Sequence, residues 1–223
     1  MSEVHPILSK DGFEDAVEYV SSYFHDVGKS GRKYYAGAYF DTWAGGGNSA
    51  TANELTGDDF VAVSMLSVEV PGKAAAGLAE KAFEVRGLLA ALPVGLDFTE
   101  LSREQFDRYL GKGSPGWRLW HVLRSAKSER WGIGETTASK ILARKRPALI
   151  PIYDSEVGPQ MGLQDSDKQW ERWHQVFQDD VELAGRLDRI GKAASVPHIS
   201  RLRIMDVALW RYAKDEHPVP SPV

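Results

Sequence analysis

The residues in this chain whose types and spacing suit them for joint chemistry are two glycines and one aspartate. Gly132-Ile133-Gly134 is followed, twenty-two residues after Gly132, by Asp154 at the end of the run Pro147-Ala-Leu-Ile-Pro-Ile-Tyr-Asp154. A glycine turn between two helices presents backbone N–H groups to a phosphate, because no side chain shields them. A carboxylate near the nucleotide carrying that phosphate can stabilise positive charge or orient water. The pairing points to chemistry on DNA.

The charge distribution bears on the same region. The formal net charge is −4, which by itself does not favour a polyanionic partner. Lys and Arg number seven against fifteen Asp and Glu over residues 1–100, eleven against four over 101–150, and nine against twelve over 151–223. The excess of basic residues surrounds the glycines: Arg118, Arg124, Lys127 and Arg130 precede them, and Lys140, Arg144, Lys145 and Arg146 follow. Sharing one face, these side chains would neutralise several phosphates and release counterions. A solvated basic helix surface is the alternative.

The elements that must position these residues read as helices. Phe13, Val17, Val20 and Phe24 form an apolar stripe over 11–25. Tyr35, Tyr39 and Trp43 recur every four residues before Gly45-Gly46-Gly47-Asn48, as core packing or as the wall of a base-stacking pocket. Thr56 with Asp59 is an N-cap signal opening the apolar run Phe60–Val68, expected to be a buried helix. After Pro71-Gly72, residues 73–92 read as one helix ended by Pro93. Ser102 with Gln105 caps a short helix, Trp117–Arg130 enters the glycine turn, and Glu135–Arg146 leaves it, stopped by Pro147. Ser166 with Gln169 signals a helix bearing Trp170, Trp173, Val176 and Phe177, and a last helix spans Ser200–Tyr212. The tail from Pro218 to Val223 is expected to be disordered.

The chain has no cysteine, which excludes disulfides, thiolate metal sites and iron–sulfur clusters. No segment approaches the roughly twenty apolar residues needed to cross a bilayer, and the start is not a secretory signal. A cytoplasmic protein with no membrane partner and no cofactor is expected.

Gly132-Ile-Gly-Glu-Thr-Thr-Ala138, then a helix, then a proline-containing run into Asp154, resembles the helix-hairpin-helix, Gly/Pro-rich loop and aspartate signature of the DNA glycosylase superfamily that includes endonuclease III. Phe60-Val-Ala-Val-Ser-Met-Leu-Ser-Val-Glu-Val-Pro-Gly-Lys-Ala-Ala-Ala76 resembles, more weakly, that superfamily's buried helix and following loop. The resemblance covers roughly residues 60–157 and suggests a bacterial offshoot of the superfamily. It implies an all-α protein of two helical subdomains, with the helix-hairpin-helix at about 118–146. One subdomain would be 58–156, the other 1–57 plus 157–217, and 218–223 the tail.

The resemblance also implies a function: a monofunctional N-glycosylase for base excision that flips a modified base out of duplex DNA and releases it by hydrolysis. Asp154 would be the catalytic carboxylate, with a helix N-cap as its alternative role. Gly132, Ile133 and Gly134, with Thr136, Lys140 and Arg144, would hold the DNA phosphates, and the carbonyls of Gly132 and Gly134 could hold a monovalent cation. The glycines are otherwise a plain turn between helices. Tyr35, Tyr39, Trp43, Tyr153 and Glu69 are candidates for the base pocket. Thr136 stands where strand-cleaving relatives carry a Schiff-base lysine, so lyase activity is not expected. Glu69 replaces a common glutamine, and Asp154 is followed by Ser155-Glu156 rather than Thr-His. The alternative function is a non-catalytic helix-hairpin-helix protein that binds nucleic acid.

Overall fold

A computed structural model describes residues 4–124 and 130–216. It is all-α: the described residues form eleven α-helices and no strand, with extended backbone paired only in an antiparallel bridge between Val27 and Lys33. The chain divides into two compact units, one formed by 36–152 and the other by both terminal segments, 1–35 and 153–223. The expected boundary at 58 therefore falls inside the central unit.

The terminal unit contains α1 (Phe13–His25), α8 (Val157–Gln160), α9 (Gln169–Asp179), α10 (Leu183–Ala193) and α11 (Arg201–Glu216). Helices α1, α10 and α11 pack against one another, and α8 packs on α11. On α1 the buried residues are Ala16, Val20, Tyr23 and Phe24, so the stripe is rotated from the expected one and Phe13 and Val17 lie at its margin. Helix α11 is buried at Leu202, Ile204, Met205, Val207, Ala208 and Leu209. It also buries Arg203, which pairs with Asp206 and donates to the Tyr23 hydroxyl at 2.8 Å. Around it Tyr23 stacks on Tyr35 at 5.0 Å, and both rings meet Trp210 edge-on. The signal at Ser166 is not a side-chain cap: its hydroxyl is buried without a partner, and Gln169 N–H bonds the Ser166 carbonyl instead.

The central unit contains α2 (Gly57–Ser64), α3 (Gly72–Glu80), α4 (Ala82–Ala90), α5 (Arg103–Tyr109), α6 (Pro115–Arg124) and α7 (Glu135–Lys145). Helix α2 packs on α7, α6 on α4, α5 and α7, and α3 on α4. The capping boxes form as expected: Thr56 and Asp59 exchange side-chain to backbone bonds at the start of α2, as do Ser102 and Gln105 at α5. The apolar run after Thr56 is shorter as a helix than its composition suggests. It ends at Ser64, Ser67 takes a left-handed φ of 60°, and Val61 lies exposed. The single helix expected over 73–92 is broken at Lys81, whose φ of −91° and ψ of 12° separate α3 from α4.

Candidate functional site

Gly132 adopts φ +91°, a conformation that β-carbon-bearing residues rarely take, and a Cβ there would lie 3.0 Å from Pro71 Cγ. Both Gly132 and Gly134 are exposed, while Ile133 between them is buried. Trp131 anchors the segment: its ring is buried against Gly77 of α3, and its indole N–H donates to the Leu123 carbonyl at 2.6 Å. Gly134 is the N-cap residue of α7 and no side chain caps it, so the first N–H groups of α7 lack intrahelical acceptors. The Glu135 carboxylate beside them accepts from Arg124 at 3.1 Å, which offsets its negative charge locally. Thr136 is half-buried in the first turn of α7, its carbonyl accepting from the Ser139 hydroxyl.

The helix expected to run to Arg130 is described as far as Arg124, and Arg130 and Trp131 are non-helical. Lys127 lies outside the described residues. Arg118 and Arg130 are exposed, and Arg124 is drawn to Glu135 and lies over the Trp120 ring.

The cations after the glycines are not phosphate ligands on the surface. Lys140, expected to contact phosphate, is 4 % exposed and donates from Nζ to the Leu66 carbonyl at 2.9 Å. Arg144, assigned the same role, is buried; its Nη1 donates to the carbonyls of Phe40 and Asp41 and its Nη2 to that of Trp43. Lys145 is fully buried and bonds Asp59 at 2.9 Å. Arg146 donates to the carbonyls of Leu89, Leu92 and Ala52 and to Asn53 Oδ1. Asp59, which caps α2, is the carboxylate facing both Arg144 and Lys145. Carbonyl dipoles thus solvate Arg144 and Arg146, while Lys145 is held by Asp59 and the Thr51 hydroxyl; one carboxylate alone cannot neutralise the three consecutive cations. Burial lowers the pKa of all three: for Arg144 and Lys145 the Asp59 carboxylate opposes the shift, and Arg146 is pushed down to about 10. The basic composition of 140–146 therefore reflects core architecture.

Asp154 belongs to the terminal unit, two residues past the end of the central one. Its Oδ1 accepts from the Glu156 N–H at 3.0 Å and its carbonyl from the Gly158 N–H at 2.8 Å, an Asx turn leading into α8, whose N-cap is Glu156 with no side-chain cap. The side chain is half-buried. Glu156 in turn accepts from Lys214 at 2.7 Å.

The five candidates for the base pocket divide between the units. Tyr35 and Tyr153 lie in the terminal unit, and Tyr39, Trp43 and Glu69 in the central one. Tyr35 accepts from Arg211 at 2.6 Å within the Tyr23 stack, and Tyr153 lies against Gly158. Tyr39 and Trp43 are partly exposed on short 3-10 turns, with the Trp43 indole donating to Asp58, so the spacing of four does not make a helical stripe. Glu69 is exposed on the loop between α2 and α3.

The chain belongs to a family of unknown function (DUF6308), whose model matches residues 16–213 and so runs through both units. No curated protein and no solved structure matches it. Among the described residues no helix is long and apolar enough to cross a membrane, and no group of three or more His, Asp or Glu is placed to hold a metal.

Proposed function

We propose that this protein binds nucleic acid through its sugar–phosphate backbone, using Gly132–Gly134 and the first turn of α7 in the manner of a helix-hairpin-helix. The observation that carries the reading is the uncapped start of α7 directly behind two exposed glycines, where N–H groups and the helix dipole favour an anion. Exposed Arg130, two residues before Gly132, supplies charge, and the Arg124–Glu135 pair limits repulsion by the nearby carboxylate. With Lys140, Arg144, Lys145 and Arg146 buried, the footprint is small, and affinity falls in the range of sequence-independent binding, about 10⁻⁴–10⁻⁶ M at physiological salt.

Fluorescence anisotropy with a labelled duplex across salt concentrations tests this. Gly134→Ala places its methyl in open space with no φ strain, so it should weaken binding while leaving the melting temperature unchanged. Arg130→Gln should reduce the salt slope by about one. Absence of binding at low salt rejects the proposal.

A finer reading, favoured by the half-buried Asp154 carboxylate that the Glu156 N–H holds in one orientation, is hydrolytic release of a modified base without strand cleavage. Asp154 would stabilise the positive charge developing on the sugar as the base departs. Asp154→Asn should then abolish base release from lesion-bearing duplexes while leaving DNA affinity intact. Equal release by wild type and variant removes Asp154 from the chemistry.

A further inference from the structure

We infer that the face made by α2, α3 and α4 of the central unit is a self-association surface, in which Phe83 of one copy enters an apolar notch of a second copy. Phe83, on α4, is 93 % exposed. One exposed ring alone is ordinary, but a benzyl group so fully hydrated next to an open apolar hollow makes a contiguous apolar surface of the kind that marks contact sites. Beside it lies a notch of about 280 Å³, floored by Leu78 and Val85 and left open because Ala75, Ala79 and Ala82 carry only methyl groups. Ala82, Val85 and Arg86 line this notch from α4 itself, so the projecting ring and the hollow occupy adjacent sectors of one helix.

That adjacency selects the occupant. A projection and a hollow side by side on one surface are self-complementary about a two-fold axis. Each copy fills the other, and the assembly closes as a dimer instead of growing into a filament. The rim agrees in charge: Arg86 and Glu54, paired at 2.6 Å across the mouth of the notch, present both signs. A rim of both signs meets its own copy without like-charge repulsion, whereas a strongly acidic or basic partner would find half of it opposed.

Sedimentation velocity on the full chain over a range of concentrations tests the proposal. The wild type should show a reversible monomer–dimer equilibrium. Phe83→Glu removes the projection, and Ala79→Phe, at an exposed position on α3, fills the hollow. Each should weaken dimerisation by about tenfold or more, as loss of a central aromatic anchor does, with circular dichroism and melting temperature unchanged. The mixture is diagnostic, because the Phe83→Glu copy keeps its hollow and the Ala79→Phe copy keeps its projection, so together they restore one of the two contacts and should dimerise more tightly than either variant alone. A wild type that is monomeric at every concentration overturns self-association and leaves the notch to another ligand or to none. A dimer unaffected by both substitutions places the interface elsewhere and also overturns it.

Discussion

Asp59 does three tasks with one carboxylate: it closes the capping box of α2, bonds Lys145 and faces Arg144. Asp59→Asn keeps the size and much of the cap but leaves two buried cations without their counter-charge, so a loss of about 3–5 kcal/mol is expected in urea denaturation. His5 is a second residue with a readable charge state. Its Nδ1 accepts from the Ile7 N–H at 3.3 Å, so Nε2 carries the proton and donates to Gln160 Oε1 at 3.1 Å. This neutral tautomer is satisfied at both nitrogens, and burial lowers its pKa below 6.5. Between the folded midpoint and pH 6.5 the unfolded state binds more protons, so stability rises with pH through that window and is lost on acidification. Histidine NMR titration should place the His5 midpoint below the ordinary histidine value of 6.5.

Two helical glycines separate propensity from packing at the scale of elements. Gly87 on α4 opens onto empty space, and Gly87→Ala should stabilise the protein by up to about 1 kcal/mol. At Gly77 on α3 a Cβ would lie 2.2 Å from the Trp131 ring, which is buried and tethered through its indole N–H. Gly77→Ala should therefore cost about 1–3 kcal/mol despite the better helix former, and thermal melts of the two variants should shift in opposite directions. Much of the helical layout was legible in the sequence. The Thr56–Asp59 and Ser102–Gln105 boxes mark their helix starts because capping depends on residues three apart. The break between α3 and α4 was not legible, since the alanine-rich run around Lys81 carries no proline and no cap. Helix α10 does carry a stripe, Leu183, Leu187 and Ile190, but no N-cap side chain marks its start.

At the scale of the molecule, the central unit starts at Ala36, not near 58, because the carbonyls of Phe40, Asp41, Trp43 and Ala52 accept from Arg144 and Arg146 at the end of α7. Side-chain patterns do not encode such backbone acceptors, so the sequence offered no sign that residues 36–57 belong with α7. The same blindness affected the candidate site. The glycines and their exposure follow from local conformation, whereas the fate of Lys140 and Arg144 depends on carbonyls tens of residues away. Because these bonds are internal to 36–152, that segment expressed alone should be helical and melt cooperatively; a non-cooperative melt by circular dichroism would show that it depends on the terminal segments.

The burial of Lys140, Arg144, Lys145 and Arg146 also gives ligand-induced thermal shifts a sign. Unfolding releases these four cations into water beside Arg130, making the denatured chain the stronger ligand for a bare polyanion at this stretch. Heparin should therefore lower the apparent melting temperature at low salt by mass action. A duplex recognised by the native start of α7 should raise it, and the opposite responses would separate recognition of the folded protein from attraction to charges that the fold conceals.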